Sequence, residues 1–522
     1  MKAMIKRALA LLMITVLLAG CTITERIGGG DETPDSGQTA SADREPGYFG
    51  LAYYASEKVN PVLSQSQINR ILVEALYEGL FVLDDQFQPQ PVLCKTYSGD
   101  GITWTFTLQD GVTFWSGEPL RASDVVYTYK TAMKTETSPY YSRLSQIQSV
   151  EAVSDSEVRI VLKSPNTLLP ALLDVPIFRE GTETNDFSEG TGPYQPQSDG
   201  SIRWLVPFKS WREGAPGAFS KIELISTVRA DAVVYSFETG DISLTRADRI
   251  SATPATFKGA VEVYQTPTAD LHYLAPNFAR APYQVTAVRQ ALSLAMDRVR
   301  LCTTQLQSFA DPAVLPVNPQ PAQSGSFAYS LDQDQEKALT LLASVGVSDT
   351  NRDGVLDYTA ADGKRVPLAP VILVNSENTF KVAVAQQIIS DLEQLGIRAT
   401  LKSVSFEDYQ TALTKGEYDF YYGETLLSPD FDVRPLIGTG GALNYGGSAN
   451  SMTDTLIDQM RAAGGDSRVS AQQNFYQQFL NTMPILPIAF TRGQVIARGG
   501  LIENYESAPY QMFINVKEWK AG

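Results

Sequence analysis

A strand, a helix and a second strand follow one another in the C-terminal half of this chain. Residues 371–374 are a continuous apolar run, and residues 388–395 then carry apolar side chains at the spacing of one helix face. Gly396 supplies a helix stop, and residues 397–401 alternate between apolar and polar types. Two strands joined by a helix lie parallel in one sheet, with a right-handed crossover. The pattern therefore predicts an α/β fold with mixed, largely parallel sheets.

Other segments show the same two patterns. Residues 103–108 alternate threonine with Trp104, Phe106 and Leu108, which predicts a strand with its large side chains in the core. Three segments have the helical spacing of apolar residues: 68–80, ended by Gly79; 122–133; and 288–299, preceded by Thr286 as N-cap. A chain of 522 residues, 43% hydrophobic and 10% aromatic, exceeds one ordinary core, so we expect two or three domains.

The N-terminus has the arrangement of an export signal. Three basic residues precede an apolar run over residues 8–18, which is too short to span a bilayer. The run closes on the letters LAGC, which resemble the bacterial lipobox and predict lipid modification of Cys21; an ordinary cleaved signal is the alternative. The stretch that follows is polar and cannot bury enough surface to fold. We predict a signal peptide over residues 1–20 and a disordered tether over residues 21–46.

The acidic balance of the chain restricts its partners. It carries 58 Asp and Glu against 42 Lys and Arg, a net charge of −16, and loss of the basic leader would make this more negative. Such a charge repels phosphate backbones and anionic lipid surfaces, so nucleic acid is not an expected partner. Besides Cys21, the chain has Cys94 and Cys302 without CxxC spacing, and we expect two separate buried thiols.

Several short motifs, taken in order, resemble one family of binding proteins. No single motif is decisive, but together they cover most of the chain after the tether. They are LYEGL (76–80), TWTFTL (103–108), GVTFWSGEPL (111–120), SDVVY (123–127), GPY (192–194), VRQAL (288–292), AMDR (295–298), GEYDF (416–420) and PILPI (484–488). The family that they resemble is the extracellular solute-binding family 5, the oligopeptide- and dipeptide-binding proteins of ABC importers.

The resemblance implies a two-lobed, periplasmic-binding-protein-like α/β fold of type II, with an extra α/β domain inserted in the N-terminal lobe. The expected segments are 47–79, 186–270 and 485–522 for lobe I, 80–185 for the inserted domain, and 271–484 for lobe II. One residue departs from the family, because Arg121 stands where a threonine usually caps the following helix. We expect Ser123 to cap that helix instead and to shift its start by a residue or two.

The resemblance also implies a function. Such proteins hold a solute between their lobes, and the expected function is capture of peptides and their delivery to the permease subunits of an ABC importer. We expect an extracytoplasmic monomer anchored to the membrane at Cys21, in the periplasm or on the outer face of the cytoplasmic membrane. The alternatives are a different solute (a nickel chelate, haem or an oligosaccharide), a peptide-sensing receptor, or a lipid-anchored hydrolase that works through paired carboxylates.

Candidate ligand-binding residues come mainly from the segment after the GEYDF motif. In relatives that bind free peptides, an aspartate in this region often pairs with the α-ammonium group of the ligand. Here Glu424 or Thr425 occupies that position, and Asp430 follows a few residues later. Aromatic rings can cover a ligand while keeping a polar group at hand. The remaining candidates are Tyr421, Tyr422 and Trp115, with core packing as the alternative, and Asn444 beside two glycines.

The sequence predicts no cofactor, no metal site and no enzyme. Residues 349–354 imitate the opening of a calcium loop, but Ala360 stands where the bidentate glutamate belongs, so a turn is the preferred interpretation. The single histidine, His272, excludes a polyhistidine site and any serine or cysteine triad built without it, and we expect it to pack in a strand. The motifs HExxH, GxSxG and GxxxxGK do not occur.

Overall fold

The computed structural model describes residues 47–522 apart from 201–202, 321, 323–324 and 326, so the predicted signal peptide, Cys21 and tether lie outside the described residues. The strands are β1 (Gly50–Tyr53), β2 (Phe81–Leu83), β3 (Pro89–Pro91), β4 (Cys94–Gly99), β5 (Thr103–Leu108), β6 (Ile147–Ala152), β7 (Glu157–Leu162), β8 (Tyr194–Ser198), β9 (Arg203–Pro207), β10 (Ile222–Ser226), β11 (Leu244–Ala247), β12 (Val261–Pro276), β13 (Ala310–Pro312), β14 (Asp357–Thr359), β15 (Arg365–Pro367), β16 (Val371–Asn375), β17 (Thr400–Val404), β18 (Phe420–Leu426), β19 (Leu486–Arg498), β20 (Ile502–Glu503) and β21 (Lys520–Ala521).

The helices are α1 (Gln67–Leu76), α2 (Ala122–Lys134), α3 (Tyr141–Leu144), α4 (Ala230–Glu238), α5 (Thr286–Ala295), α6 (Arg298–Arg300), α7 (Gln335–Ser344), α8 (Thr379–Glu393), α9 (Phe406–Lys415), α10 (Arg434–Ile437), α11 (Ser451–Ala462) and α12 (Ser467–Thr482). A 3₁₀ turn covers Leu169–Leu172, and a π-helical turn covers Leu301–Gln305. In the part of the chain that the structure describes, no helix has the length and apolar composition needed to cross a bilayer.

The seven-stranded sheet combines parallel and antiparallel pairs. Its strand order is β11-β19-β12-β18-β16-β17, and β13 pairs with β19. Strands β16 and β17 are parallel and are connected through α8, as the strand-helix-strand pattern predicts. Strand β12 crosses the expected lobe border at residue 270 and pairs along its length with β19. One sheet therefore joins segments assigned to both lobes, and the exact segment borders stay a prediction.

Two four-stranded sheets complete the framework. The first has the order β1-β10-β9-β8, in which β1 and β10 are parallel. The second, β4-β5-β7-β6, is antiparallel and is formed within the segment expected to be the inserted domain. Helix α2 packs on this second sheet, because Val125 and Tyr129 share a hydrophobic core with Phe106 and Ile160. The predicted α/β fold class is confirmed.

Strands predicted from local patterns are found in three places, and in the third the strand begins later than predicted. Strand β5 covers residues 103–108 with its three large side chains buried, and β16 covers the apolar run at 371–374. The strand predicted over residues 397–401 begins only at Thr400. The residues before it form loop hydrogen bonds instead, from Ile397 N–H to the Leu392 carbonyl and from Arg398 N–H to the Leu368 carbonyl.

The start of helix α2 corrects the predicted cap. The helix begins at Ala122, so Ser123 lies inside it and is not the N-cap. Asp124 accepts a hydrogen bond from the backbone N–H of Arg121 at 2.9 Å, and its second oxygen accepts from the N–H of Glu180 at 3.0 Å. A carboxylate three residues into the helix thus satisfies the N-cap residue's N–H without a serine or threonine cap.

The boundaries of two other helices differ from prediction. Helix α1 ends at Leu76, before Gly79, because Tyr77 adopts an extended backbone and its hydroxyl lies within hydrogen-bond distance of buried backbone carbonyls. Thr286 is the first residue of α5, where its hydroxyl accepts a hydrogen bond from Arg289, so it is not the N-cap. Val299 lies beyond the end of this helix and is 51% exposed.

Cys94 and Cys302 are separate, buried free thiols, as predicted. Burial raises the pKa of each thiol to about 12. Both groups therefore stay protonated, and poorly nucleophilic, at neutral pH.

Candidate binding cleft

A cavity of ≈ 1100 Å³ lies between segments assigned to different lobes. Its walls include residues of helix α1, of segments 139–176 and 245–268, and of the stretch 425–435 that follows β18. Ordinary small-molecule pockets have volumes of about 300–1,000 Å³. The cavity is therefore large enough for an extended ligand that contacts both parts of the chain.

Two ion pairs line this cavity, and within each pair the two opposite charges neutralise each other. Glu74 on α1 accepts hydrogen bonds from the Arg246 guanidinium at 2.9 and 3.1 Å. Arg143 likewise contacts the Asp174 carboxylate. Burial raises the pKa of Glu74 and of Asp174, and the arginine beside each carboxylate opposes that rise. Because each charge already has a partner, these walls add little net charge to the cavity.

Arg70 differs from those paired arginines. It lies one helical turn before Glu74 on α1 and also lines the cavity. Its Nε atom is buried and has no hydrogen-bond partner among the described residues. A guanidinium N–H that is buried without an acceptor costs on the order of 1–3 kcal/mol, and an anionic group of a ligand would satisfy it.

A buried ion cluster connects the second lobe to the inserted segment. Arg461 Nη1 lies 2.8 Å from the Asp430 carboxylate and 3.0 Å from that of Asp432. The Asn166 amide donates to Asp430 at 2.9 Å, and the backbone N–H of Thr167 donates to the Arg461 carbonyl at 2.8 Å. Asp430, a predicted ligand residue, is thus engaged in holding two parts of the chain together.

Of the candidates predicted from the sequence, Thr425 lines the large cavity. Its hydroxyl lies 3.4 Å from the hydroxyl of Tyr273. Glu424, the neighbouring residue, points to the opposite face of β18 and lines a smaller cavity of ≈ 300 Å³ together with Lys381. The Lys381 ammonium contacts the Glu424 carboxylate. Burial alone would raise the pKa of Glu424, but His272 and Lys381 outweigh it and hold the pKa at about 2.

Tyr421 and Tyr422 are buried in the seven-stranded sheet. The Tyr421 ring packs edge-on against Tyr273 and Tyr418, with ring centroids 5.9 and 5.3 Å apart. The Tyr422 hydroxyl lies 2.9 Å from Nδ1 of His272, which is itself buried in strand β12 as predicted. Tyr421 therefore contributes to the core, and Tyr422 reaches the smaller cavity but not the larger one.

Trp115 and Asn444 support other structural contacts. Trp115 packs against Tyr77, with ring centroids 5.8 Å apart. The Asn444 amide donates to the backbone carbonyls of Gly438 at 3.0 Å and Ser448 at 2.7 Å, which closes the loop around it. Neither residue lines the large cavity.

Sequence patterns did not identify the charged residues of the cavity. Arg70 and Glu74 are spaced as i and i+4 on the polar side of the predicted helix, and this spacing was the one available signal. A polar helix face is ordinarily exposed to solvent, and the partner of Glu74, Arg246, is 172 positions away. Only the tertiary fold brings these residues to one surface.

The segment that imitates a calcium loop, residues 349–354, lies in the connection between α7 and β14. The Asp349 side chain accepts hydrogen bonds from the backbone N–H groups of Arg352, Asp353 and Gly354. These bonds direct its carboxylate to the backbone of its own loop, between α7 and β14. The preference for a turn over a calcium site stays a prediction.

An α/β chain with a large cavity between segments of two lobes belongs to the class of bilobal solute-binding proteins. A sequence model described as "Bacterial extracellular solute-binding proteins, family 5 Middle" matches residues 87–442, which is more than half of the chain. The chain belongs to this family. The family predicted from the sequence motifs is thereby confirmed.

Known proteins of this kind match over nearly the whole chain. The oligopeptide-binding protein AppA of Bacillus subtilis is 23% identical over 565 residues, covering 98% of this chain and 99% of AppA. The structure of AppA with a nonapeptide covers 92% of this chain and 100% of AppA, with a TM-score of 0.60 at 21% identity.

Two further solved structures share the fold. The unliganded open form of the periplasmic murein tripeptide binding protein MppA has a TM-score of 0.72 at 19% identity, covering 92% of this chain and 98% of MppA. A nickel ABC transporter protein from Bacillus halodurans has a TM-score of 0.72 at 20% identity, covering 90% of this chain and 98% of that protein. These likenesses confirm the predicted two-lobed fold.

Proposed function

We propose that this chain is the substrate-binding lipoprotein of an ABC importer, and that it captures peptides between its lobes and delivers them to the membrane permease. The observation that carries the proposal is the ≈ 1100 Å³ cavity, whose walls come from segments of both lobes. Its size suits an extended ligand of several residues. The oligopeptide-binding relative AppA, similar over nearly the whole chain, supports the same class of solute.

The charges of the cavity suit a zwitterionic ligand with variable side chains. Most wall charges are already paired, so the walls do not demand one particular side-chain charge. Among the described residues the Arg70 Nε–H has no acceptor, and it would pair with a carboxylate of the peptide, such as its C-terminus. Thr425 offers a hydroxyl at the other side of the cavity for the peptide backbone. Glu424 lies on the opposite face of β18, in the smaller cavity with Lys381, so we do not assign it a role in binding the α-ammonium group of a peptide in the large cavity.

Contacts between the lobes link capture to transport. The bonds from Asn166 and Thr167 to the Asp430–Arg461 pair join the inserted segment to the second lobe beside the cavity. A peptide that contacts both sides would stabilise the arrangement in which the lobes close on it, through its higher affinity for that arrangement. The permease would then distinguish loaded from empty protein by shape. This role is binding and release, without chemical conversion of the peptide.

Thermal unfolding with added peptides tests the proposal. A mixture of short peptides is expected to raise the unfolding temperature, because a ligand at 100 times its Kd stabilises the folded state by about 2.7 kcal/mol. The same amounts of free amino acids serve as the control and are expected to have no such effect. Peptides with amidated C-termini are expected to give a smaller rise, because they lack the carboxylate for Arg70. Stabilisation by a nickel chelate, haem or an oligosaccharide but not by peptides would contradict the proposal.

The lipid anchor is a separate part of the proposal and has its own test. Replacing Cys21 by serine in the expressed full chain is expected to move the protein from the membrane fraction to the soluble fraction, because acyl chains on that thiol would supply the attachment. Cys94→Ser, which alters a buried thiol, is the matched control and is expected to stay with the membrane. Equal membrane association of the two variants would contradict lipidation at Cys21.

A further inference from the structure

Three side chains from two strands that are distant in sequence converge on one face of the seven-stranded sheet. Asp270 and His272 are two residues apart on β12, so their side chains point to the same face. Glu424 on β18 lies directly opposite His272 in the strand register, and Asp270 is diagonal to it. The three side chains therefore meet on one side of the β12–β18 pair.

The distances among these groups fit one small bound ion. A histidine nitrogen and one oxygen from each carboxylate lie within 4.8 Å of one another. A divalent transition metal such as Zn²⁺ binds histidine nitrogen and carboxylate oxygen at about 2.0–2.2 Å. Small rotations of the carboxylates would bring all three atoms to that distance from a common centre.

Among the described residues, the His272 ring makes a hydrogen-bond contact through Nδ1 and none through Nε2. Its ring is buried, with the side chain 3% exposed, and Nδ1 lies 2.9 Å from the Tyr422 hydroxyl. When Nδ1–H donates to that hydroxyl, Nε2 keeps its lone pair for a metal, an arrangement common among metal-bound histidines. Nε2 lies 3.9 Å from the Glu424 carboxylate, beyond hydrogen-bond distance.

A small cavity adjoins the two carboxylates of this group. It has a volume of ≈ 300 Å³ and is lined by Asp270 and Glu424, with Lys381 and Tyr422 beside them. Three protein ligands with an open side is the arrangement in which a metal keeps water or another small ligand at its remaining positions. Lys381 is the competing cation, because its ammonium group contacts the Glu424 carboxylate.

We propose that Asp270, His272 and Glu424 form a binding site for one divalent transition-metal ion of the Zn²⁺ type, separate from the large cavity and open to the small one. The site goes beyond solute capture and does not depend on which solute the large cavity holds. The ion would join β12 to β18, the two central strands of the sheet that connects the lobes.

Metal binding by the full chain, purified in detergent without a polyhistidine tag, tests this proposal. Equilibrium dialysis against Zn²⁺ alone is expected to give one bound ion per chain. His272→Gln and Asp270→Asn are each expected to weaken Zn²⁺ binding by at least about tenfold. Asp349→Asn, the same kind of change in the calcium-like turn, is the matched control and is expected to bind like the wild type. Co²⁺ provides a second readout, because a coordinated histidine and two carboxylates give visible absorption that His272→Gln would abolish.

Three results would overturn the proposal. The first is the absence of stoichiometric Zn²⁺ binding by the wild-type chain. This result does not depend on whether any variant folds. The second is wild-type affinity in both His272→Gln and Asp270→Asn. The third is loss of Zn²⁺ binding in a folded Lys381→Met variant. That change keeps all three ligands and removes the competing ammonium group, so the Zn²⁺ affinity of this variant is expected to rise.

Discussion

Replacing Arg461 by methionine is expected to lower the free energy of unfolding by about 3–5 kcal/mol, because the change leaves buried carboxylates without their counterion. The side chains of Arg461 and Asp430 are 4% and 1% exposed, and that of Asp432 is 23% exposed. Burial already raises the pKa of Asp432, against the effect of Arg461. Urea unfolding followed by circular dichroism measures the change.

An exposed arginine provides the matched control for that prediction. Arg229 pairs with Asp231, but their side chains are 75% and 67% exposed. Solvent screens such a pair, so Arg229→Met is expected to cost less than about 1 kcal/mol. Similar losses from the two substitutions would show that the Arg461 cluster does not have the stabilising role described for it.

Replacing Thr425 by tryptophan is expected to weaken peptide binding by at least about 100-fold, equivalent to about 2.7 kcal/mol. Thr425 lines the large cavity where β18 ends, and an indole ring there would occupy the space of the ligand. Isothermal titration calorimetry with the peptide mixture that stabilises the wild type measures the loss. The unfolding temperature without peptide is expected to change little, because Thr425 is only half-buried.

Thr400→Trp is the control for the change at Thr425. Thr400 begins the edge strand β17 of the same sheet and is exposed, far from the residues that line the cavity. The Thr400→Trp substitution introduces the same side chain and is expected to leave the peptide affinity unchanged. Unchanged affinity in Thr425→Trp as well would mean that peptides bind elsewhere.

The predictable parts of the fold are those with a local pattern. The alternation in residues 103–108 predicts both strand β5 and its buried face, because every second side chain of a strand points the same way. Helix caps were less predictable. The start of α2 depends on Asp124, whose carboxylate also binds the N–H of Glu180, a contact that no local pattern contains.

The candidate site was predictable only in part, for a similar reason. Residues 420–423 of β18 are all buried, so this central strand is covered on both faces and its sequence does not alternate. The sequence therefore could not show that Tyr421 faces the core while Thr425 reaches the large cavity. The Asp430–Arg461 pair and the Asp270–His272–Glu424 group depend on contacts between distant segments, which single-sequence patterns do not reveal.

Native mass spectrometry of the untagged, detergent-purified chain tests the central claim most directly, because it detects whatever the cavity holds after purification. We expect bound peptides with varied side chains, which are released and sequenced by fragmentation. Recovery of a single nickel chelate, haem or sugar in place of peptides would contradict peptide capture while leaving the solute-binding fold intact.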